Sequence, residues 1–447
     1  LEYYLIHIFN KRLNMKNNFL RGALVLCLGG FITKILGFII KIMYTRTIGT
    51  EGLALYTLIM PIYSLIVTIA GFGMPIAISK LVAEAKTRSK VILSQGIIIL
   101  LILNFSIMLL VILCSDFIAN FLLNEPRVKI LIIGAVLAMP QMALACVFKG
   151  YFYGKQRMLP NTISNIIEQT IRIIFIIFFL PYFVSKSIIL GILSFLLINI
   201  LTETASILTF MFLLPKNIKI NITDIKYNSY YFKDLLFTSI PLVSSRIIGN
   251  IGYFFEPIIL SKTMLFIGYT QEFFLLEYGI YNGYSIALLL MPSFLIQALC
   301  TALIPEISKF KSLHNNKMIK KRTKEALFSS FLLGLVSTII VVLGRNFFLN
   351  LIYNTSYGAD YIFYLGFFFP LYYLEAPLSS ILQALGYGTY ALKTTTLGVI
   401  IKLASMFIFT LFHIGLYGLV ISEAIDIIFV VVFNMRLLLK CFNSSKY

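Results

Sequence analysis

The sequence predicts an all-α polytopic membrane protein with about twelve transmembrane helices, arranged as two six-helix bundles related by a parallel repeat. Three observations lead to this prediction. Of the 447 residues, 59% are hydrophobic and only 12% are charged, and apolar runs long enough to cross a bilayer recur along the chain. Lys and Arg concentrate in alternate connections between these runs. Short sequence matches recur in the same order in the two halves.

The apolar runs predict twelve spans, and several exceed the roughly 20 residues that a crossing needs, so tilts or kinks are expected. The predicted spans are 22–45, 53–79, 91–115, 130–150, 161–183, 188–214, 234–261, 274–305, 326–349, 358–385, 391–413 and 416–439. Prolines inside spans favour kinks because each removes a helical hydrogen bond. They are Pro61, Pro140, Pro241, Pro292, Pro370 and Pro377.

The net charge of +19 follows from the distribution of Lys and Arg. Of these 37 residues, 26 lie in the N-terminus, the even-numbered connections and the C-terminus, six lie in the odd-numbered connections, and five lie within spans. By the positive-inside rule, this bias predicts a cell-membrane protein with both termini in the cytoplasm. Because the rule accounts for the excess charge, no nucleic-acid partner is expected.

Four short matches indicate a diverged duplication. The segments KILG, PIAISK, YG and TE at 34–37, 75–80, 153–154 and 202–203 correspond to RIIG, PEISK, YG and SE at 246–249, 305–309, 387–388 and 422–423. They predict one bundle at 15–215, a cytoplasmic linker at 216–233 and a second bundle at 234–447. Residues 1–14 are expected to be a non-native or disordered extension. Parallel repeats of this kind place a substrate path between the two bundles.

The first span carries cations where burial in lipid is costly. Gly30, Lys34, Gly37 and Lys41 have the spacing of one helical face, and Arg46 follows at the outer end of the span. Small residues beside cations indicate that this face meets protein or water rather than lipid. We therefore predict that Lys34 borders a hydrated cavity, whereas Lys41 either borders it too or extends toward the outer interface.

The seventh span has a similar polar face, with Arg246, Asn250 and Glu256. If the repeat places the first and seventh spans in equivalent positions, Lys34 and Arg246 face each other across a central cavity. Such a cleft suits an anion, and diphosphate most of all, because Arg and Lys both bind phosphate oxygens strongly. The alternative is that Arg246 and Glu256 form a structural ion pair, but their ten-residue separation disfavours it.

Other charges within spans allow two interpretations. Glu168 and Arg172 have the i, i+4 spacing of a helical ion pair, so they either neutralise each other or line the cavity. The remaining acids either bind a proton or sodium for coupling, or pair with Lys402 or Arg172. These acids are Glu203, Glu423 and Asp426, whereas Glu375, beside Pro377, is expected to line a kinked, hydrated segment.

Several classes of protein are disfavoured by what the sequence lacks. It contains no GxxxxGK[ST], GxSxG or HExxH motif, so a built-in ATPase, hydrolase or metalloprotease is not expected. Its five Cys and three His are scattered without the spacing of metal ligands. We therefore expect no catalytic residues, metal or cofactor, and coupling to the membrane potential, a proton or sodium instead.

Two pairs of segments carry a resemblance to a known family. They are KILGFIIKIMYTRTIGTEGLALY with GFGMPIAISKLVAEAK, and SSRIIGNIGYFFEPIIL with YGIYNGYSIALLLMP. They resemble the stage V sporulation protein B family, a branch of polysaccharide exporters near the MurJ-type lipid II flippases. The larger group is the multidrug/oligosaccharidyl-lipid/polysaccharide (MOP) exporter superfamily, which includes the MATE transporters.

The resemblance implies a MATE-like flippase fold, with two bundles around a central cavity that opens alternately inward and outward. It also implies a polyprenyl-diphosphate-linked saccharide as cargo, such as a peptidoglycan precursor for the spore cortex, and a cell-wall synthase as a candidate partner. Lys34, Arg46 and Arg246 match the cavity cations of related flippases, with Lys41 as a further candidate. A cation-coupled multidrug antiporter, with an acid-rich aromatic cavity, is the alternative. A non-transporting enzyme or scaffold is the third hypothesis.

Overall fold

The computed structural model describes residues 18–84, 89–215 and 228–443, and within these ranges the chain is helical with no β-strand, as predicted. The first half contains α1 (Asn18–Gly71), α2 (Met74–Glu84), α3 (Ser89–Asp116), a π-helical turn (Phe117–Leu122), α4 (Val128–Val136), α5 (Met139–Gly154), α6 (Leu159–Phe178), α7 (Leu180–Lys186) and α8 (Ile188–Leu213). The second half contains α9 (Ser229–Phe266), α10 (Gln271–Ile280), a π-helical turn (Tyr281–Ser285), α11 (Ile286–Leu290), α12 (Ser293–Ser312), α13 (Asn316–Leu343), α14 (Arg345–Tyr353), α15 (Ala359–Gly366), α16 (Phe369–Ala384), α17 (Gly388–Thr410) and α18 (Tyr417–Asn443).

Helix α1 contains the first predicted span and most of the second. The two segments meet at Gly49, whose φ of 69° and ψ of −172° interrupt the helix. Glycine tolerates this conformation because it has no Cβ. The second segment ends earlier than predicted, since Phe72 and Gly73 have φ angles of 43° and 65° and a separate helix begins at Met74.

Several predicted spans are broken. Helices α6 and α7 meet at 48°, and α15 and α16 meet at 61°. The eighth span is divided into α10, a π-helical turn, α11 and α12. Its last break is at Pro292, and α12 begins directly after this residue. Proline therefore marks some of these breaks, although Pro61 and Pro377 lie inside continuous helices.

The helix count agrees with the predicted twelve spans. The described residues contain eight helices long and apolar enough to cross a membrane, or up to ten if each bent pair is one span. The first of these contains both segments of α1, on either side of Gly49. Helix α9 coincides with the predicted seventh span and is not one of these eight helices. Counting each bent pair as one span, counting the two segments of α1 separately and adding α9 gives twelve spans.

The outward-facing surface of the helices is apolar, as a bilayer requires. Large hydrophobic side chains such as Leu113, Phe212 and Leu343 are 74%, 88% and 80% exposed. A soluble protein would not expose so many of them. The chain is therefore a multi-pass membrane protein, while the cytoplasmic location of its termini stays a prediction.

Three hydrophobic cores show how the two halves meet. We call the end near the basic connection 309–324 the inner end, and the opposite end the outer end. The largest core lies toward the outer end and joins both halves, from Tyr44 and Leu53 to Leu349 and Leu416. Two further cores lie toward the inner end, and each belongs mainly to one half. The halves are thus packed together at the outer end and have separate interiors at the inner end.

Hydrogen bonds between the halves support this arrangement. At the outer end, Gln271 Nε2 donates to the Leu123 carbonyl at 2.8 Å, and Lys262 Nζ donates to Asn124 Oδ1 at 3.2 Å.

The seventh span begins earlier than predicted, at Ser229, and residues 1–14 and the linker residues 216–227 lie outside the described ranges. The predicted domain boundaries therefore stay predictions.

Candidate functional site

A cavity of about 1160 Å³ lies between the two halves, and we call it the central cavity. Its walls come from α1, α6 and α8 of the first half and from the segment between α9 and α12 of the second. The volume exceeds the roughly 300–1,000 Å³ that is usual for small-molecule sites. A cavity of this size between bundles suits a bulky, partly polar cargo.

The charge of the central cavity has one sign. Lys34, Lys41 and Arg172 line it, and none of the described residues in its wall is Asp or Glu. Lys34 and Lys41 are seven residues apart on α1, which separates them by about 10 Å along the helix axis. Arg172 is held in place because its Nη2 donates to Asn199 Oδ1 at 2.9 Å. Three cations thus share a cavity whose described wall residues include no carboxylate.

Neutral hydrogen-bonding groups complete the wall. The polar ones are Thr33, Thr45, Thr57, Ser64, Thr68, Asn165, Gln169, Asn199, Asn282, Ser293 and Gln297, and the tyrosines are Tyr44, Tyr56, Tyr63 and Tyr253. Amides and hydroxyls both donate and accept hydrogen bonds, so they match the hydroxyl and acetamido groups of a saccharide as well as phosphate oxygens. The cavity therefore combines a cationic part with a neutral polar part.

The structure does not bring Arg246 into this cavity with Lys34. Arg246 is exposed and is not among the residues that line the cavity. One turn farther along α9, Asn250 joins the halves, since Ser64 Oγ donates to Asn250 Oδ1 at 2.8 Å and Asn250 Nδ2 donates to Thr68 Oγ1 at 2.6 Å. Arg246 therefore lies about one turn inward of this contact and outside the cavity wall.

Arg46 also lies away from the central cavity. Its side chain donates to the carbonyls of Leu351 and Ile352, which are at the C-terminal end of α14 in the second half. Arg46 therefore contacts the helix end that a cation favours. Its observed partners are backbone atoms of the opposite half, whereas the sequence placed it among the substrate-binding cations.

A buried ion triad fixes the second bundle. Lys402 Nζ on α17 lies 2.8 Å from Glu256 on α9 and 2.6 Å from Glu423 on α18. Tyr278 donates from its hydroxyl to Glu256 at 3.1 Å. Of the two interpretations left open by the sequence, pairing with Lys402 is the one observed for Glu423. Glu256 pairs with the same lysine and not with Arg246.

The first bundle has a looser counterpart. Lys149 Nζ lies 3.5 Å from Glu168 Oε1, and Ser164 donates to the same oxygen at 3.5 Å. The helical pair of Glu168 with Arg172 is replaced by this contact, because Arg172 turns toward the cavity wall. Glu203 is buried in α8, one turn beyond Asn199. Lys149 lies inside α5 near its C-terminal end, where its ammonium group reaches Glu168 instead of the solvent of the connection that follows.

A second cavity, of about 260 Å³, lies inside the second bundle, and we call it the acidic cavity. Glu375 and Asp426 line it, together with Asn434, which is 1% exposed. Among the described residues, Asp426 Oδ1 and the side-chain amide of Asn434 have no hydrogen-bond partner. Ser293 and Gln297 line both this cavity and the central one. The two cavities are therefore neighbours.

A family model described as "Polysaccharide biosynthesis protein" matches residues 19–311. Stage V sporulation protein B of Bacillus subtilis (strain 168) is 32% identical over 407 residues, which cover 88% of this chain and 78% of that protein. The lipid II flippase MurJ of the same organism is 30% identical over 179 residues, which cover 36% of this chain and 32% of that protein.

A solved structure is similar over nearly the whole chain. It is described as the inward-facing conformation of a multidrug resistance MATE family transporter of the MOP superfamily, and it matches with a TM-score of 0.77 at 16% identity. The match covers 95% of this chain and 100% of that one. This likeness concerns the fold, and it confirms the predicted MATE-like arrangement of two helical bundles.

Proposed function

Because the chain belongs to the polysaccharide biosynthesis protein family of multi-pass membrane transporters, we propose that it is a flippase for a polyprenyl-diphosphate-linked saccharide. The cargo is a peptidoglycan precursor of the lipid II type, and its destination is the spore cortex. Two relatives support this choice, since one is a stage V sporulation protein and another is a lipid II flippase.

The observation that carries the proposal is the charge of the central cavity. Lys34, Lys41 and Arg172 line it and no carboxylate does, among the residues the structure describes. A multidrug antiporter for cationic drugs would need acids in this wall. Phosphate oxygens accept charge-assisted hydrogen bonds from Lys and Arg, so a diphosphate is the group that such a wall binds best.

The arrangement of the cores supports loading from the inner end. The halves have separate cores at the inner end and share one at the outer end, so the cargo enters from the inner end. The diphosphate binds the cations while the polyprenyl tail stays in the bilayer. Rocking of the two bundles then exposes the headgroup at the outer end. An inside-negative potential favours this step by about 2.3 kcal/mol per negative charge per 100 mV.

Coupling to an ion belongs to the second bundle in this proposal. Glu423 is already paired with Lys402, which leaves Asp426 and Glu375 as the acids available to bind a proton or sodium. Asp426 Oδ1 and Asn434 lack protein partners among the described residues. Because the acidic cavity shares Ser293 and Gln297 with the central cavity, ion binding there acts next to the cargo site.

A reconstituted flipping assay tests the proposal. The purified protein is placed in liposomes with a fluorescent polyprenyl-diphosphate disaccharide, and the rate of headgroup transfer is measured with and without a membrane potential. The Lys34→Gln, Lys41→Gln double variant removes two cavity cations. We expect it to flip the lipid at least about tenfold more slowly, because each lost charge-assisted hydrogen bond to phosphate is worth about 1.5–3 kcal/mol.

Lys80→Gln provides the matched control, since Lys80 is an exposed cation of the first half outside the cavity wall. Its flipping rate should equal that of the wild-type protein. The thermal unfolding midpoint of each variant checks that the fold is intact. A double variant that folds normally and flips at the wild-type rate would rule out the cationic site. Efflux of cationic dyes without any lipid flipping would favour the antiporter.

A further inference from the structure

A third cavity, of about 430 Å³, lies at the outer end of the second bundle, and we call it the outer pocket. It forms where three connections meet, those that join α9 to α10, α14 to α15, and α17 to α18. Among the described residues, none lines both this pocket and the central cavity. The outer pocket is therefore separate from the proposed cargo site.

The walls of the outer pocket are tied together by hydrogen bonds. The Tyr269 hydroxyl donates to the His413 carbonyl at 2.8 Å, which joins the first and third connections. Ser285 Oγ donates to the Gly358 carbonyl at 2.9 Å and anchors the second. Gly358 and Gly415 have φ angles of +89° and +61°, which glycine adopts without strain. These contacts form the pocket before any ligand arrives.

Aromatic rings and carboxylates make up most of its functional groups. The aromatic residues are Tyr269, Phe273, Tyr357, Tyr361 and Tyr417. Glu277 and Asp360 supply the carboxylates, and Tyr361 donates from its hydroxyl to Glu277. None of the described residues in this wall is Lys or Arg, although the chain has 37 of them against 18 acids. The charge of the pocket is therefore opposite to that of the central cavity.

Two arguments identify the class of ligand. The faces of aromatic rings carry partial negative charge and attract organic cations, and a nearby carboxylate adds a counter-ion. A metal ion fits less well, because the described residues contain no group of three or more His, Cys, Asp or Glu side chains suited to holding one. A volume of 430 Å³ also leaves room for a group larger than a bare ion.

We propose that the outer pocket binds an organic ammonium group, with Asp360 and Glu277 as its counter-ions and the rings of Tyr269, Tyr357 and Tyr417 around it. The ammonium comes either from an amine on a saccharide headgroup or from a lysine side chain of a protein partner outside the membrane. The proposal does not depend on the cargo of the central cavity, because the two sites share no residue.

Binding to the full-length protein in lipid nanodiscs tests the proposal. Saturation-transfer NMR and calorimetry measure the affinity of n-butylammonium, with n-butanol as its neutral counterpart. A lysine-containing tripeptide and glucosamine then serve as probes for the two sources of the amine. We expect saturable binding of n-butylammonium that weakens with added salt, and no saturable binding of n-butanol. Tighter binding of the tripeptide or of glucosamine supports the proposal and identifies the source.

Two substitutions place the site. Asp360→Asn removes one carboxylate at an exposed position, and Tyr357→Ala removes a ring that is 61% exposed, so neither disturbs the core. Each should weaken the binding of n-butylammonium at least tenfold. Glu272→Gln is the matched control, because Glu272 is an exposed acid on the same helix as Glu277 and lies outside the pocket wall. It should leave the affinity unchanged.

Other results overturn the proposal. Absence of saturable n-butylammonium binding excludes an ammonium site. Binding that is equal in the wild-type protein, Asp360→Asn and Tyr357→Ala places the amine elsewhere on the molecule. If neutral sugars bind more tightly than amines, and neither substitution changes their affinity, the surface is a saccharide site instead. None of these outcomes bears on lipid flipping, so the proposed function is tested separately.

Discussion

Arg46 Nε donates a hydrogen bond of 2.7 Å to the carbonyl of Ile352, which lies 306 residues later in the chain. The guanidinium also contacts the carbonyl of Leu351, and both acceptors are at the C-terminal end of α14. The bond links the first bundle to the second at the outer end, next to the core that both share. Arg46 therefore ties the two halves together at the outer end, and the proposed alternating access requires this contact to break.

The first prediction concerns this link. Arg46→Gln should increase the population that is open at the outer end several-fold, because a cation at an exposed helix C-terminus contributes about 0.3–1 kcal/mol. Electron–electron resonance distances between labels at Lys186→Cys and Phe347→Cys, in a protein without native cysteines, measure the separation of the halves. Lys129→Gln breaks the 2.7 Å bridge to Asp116 within the first half and serves as control. Identical distance distributions for Arg46→Gln and wild type would contradict the prediction.

The second prediction ranks two arginines. Arg172 lines the central cavity and Arg246 does not. Arg172→Gln should lower the rate of lipid flipping by roughly tenfold to a hundredfold, as expected for the loss of a charged hydrogen bond. Arg246→Gln should change it by less than about threefold, which corresponds to under 1 kcal/mol. Flipping rates in liposomes decide this ranking, and the reverse order would return Arg246 to the cargo site.

The third prediction concerns the triad at Lys402. Lys402→Met leaves Glu256 and Glu423 without their shared cation, and breaking a buried ion pair in this way costs about 3–5 kcal/mol. We expect a clearly lower thermal unfolding midpoint. Tyrosine fluorescence can follow it, since the chain has 26 Tyr and no Trp.

Arg322→Met is a matched control for the triad. Arg322 also lies between two acids, Glu306 and Glu325, but all three side chains are at least 38% exposed. Water screens the charges of exposed pairs, so this variant should unfold near the wild-type midpoint. Equal midpoints for Lys402→Met and Arg322→Met would show that burial does not strengthen the triad.

The fourth prediction tests the packing between the halves. A Cβ on Gly279 would lie 2.6 Å from Ala54 Cα, so the two helices touch at backbone distance. Gly279→Val should therefore force the outer end apart and destabilise the closed state by about 1–3 kcal/mol. The distance measurement used for Arg46 applies here. Gly30→Ala is the control, because nothing lies within 4 Å of a Cβ added at Gly30. An unchanged distance between the two labels in Gly279→Val would argue against tight closure.

The fifth prediction addresses coupling at the acidic cavity. Asp426→Asn removes a carboxylate whose Oδ1 has no partner among the described residues. If this group binds the coupling ion, a sodium or proton gradient should no longer accelerate flipping, while the response to membrane potential persists. Asp116→Asn, at an exposed side chain, should retain both responses. A gradient response that survives in Asp426→Asn would place coupling elsewhere.

Much of the fold followed from the sequence because its signals are local. A span is a run of apolar residues, and its insertion into the bilayer depends on its own composition more than on neighbouring helices. The boundaries of the twelve spans were therefore predicted to within several residues. The breaks within spans were harder to predict. Helix α1 ends at Gly71 instead of continuing to residue 79, because Phe72 has a positive φ that no sequence pattern indicates.

The sequence by itself determined most of the charges that lie within the membrane, with Lys149 as an exception, and that the first span presents Lys34 and Lys41 on one face. Only the tertiary structure decided where each charge points. The Arg172 side chain faces the central cavity and does not pair with Glu168. Arg46 contacts the opposite half, and Arg246 lies outside the central cavity. The physical reason is that periodicity fixes which side chains share a helical face, whereas the rotation and packing of each helix against distant residues fix what that face meets.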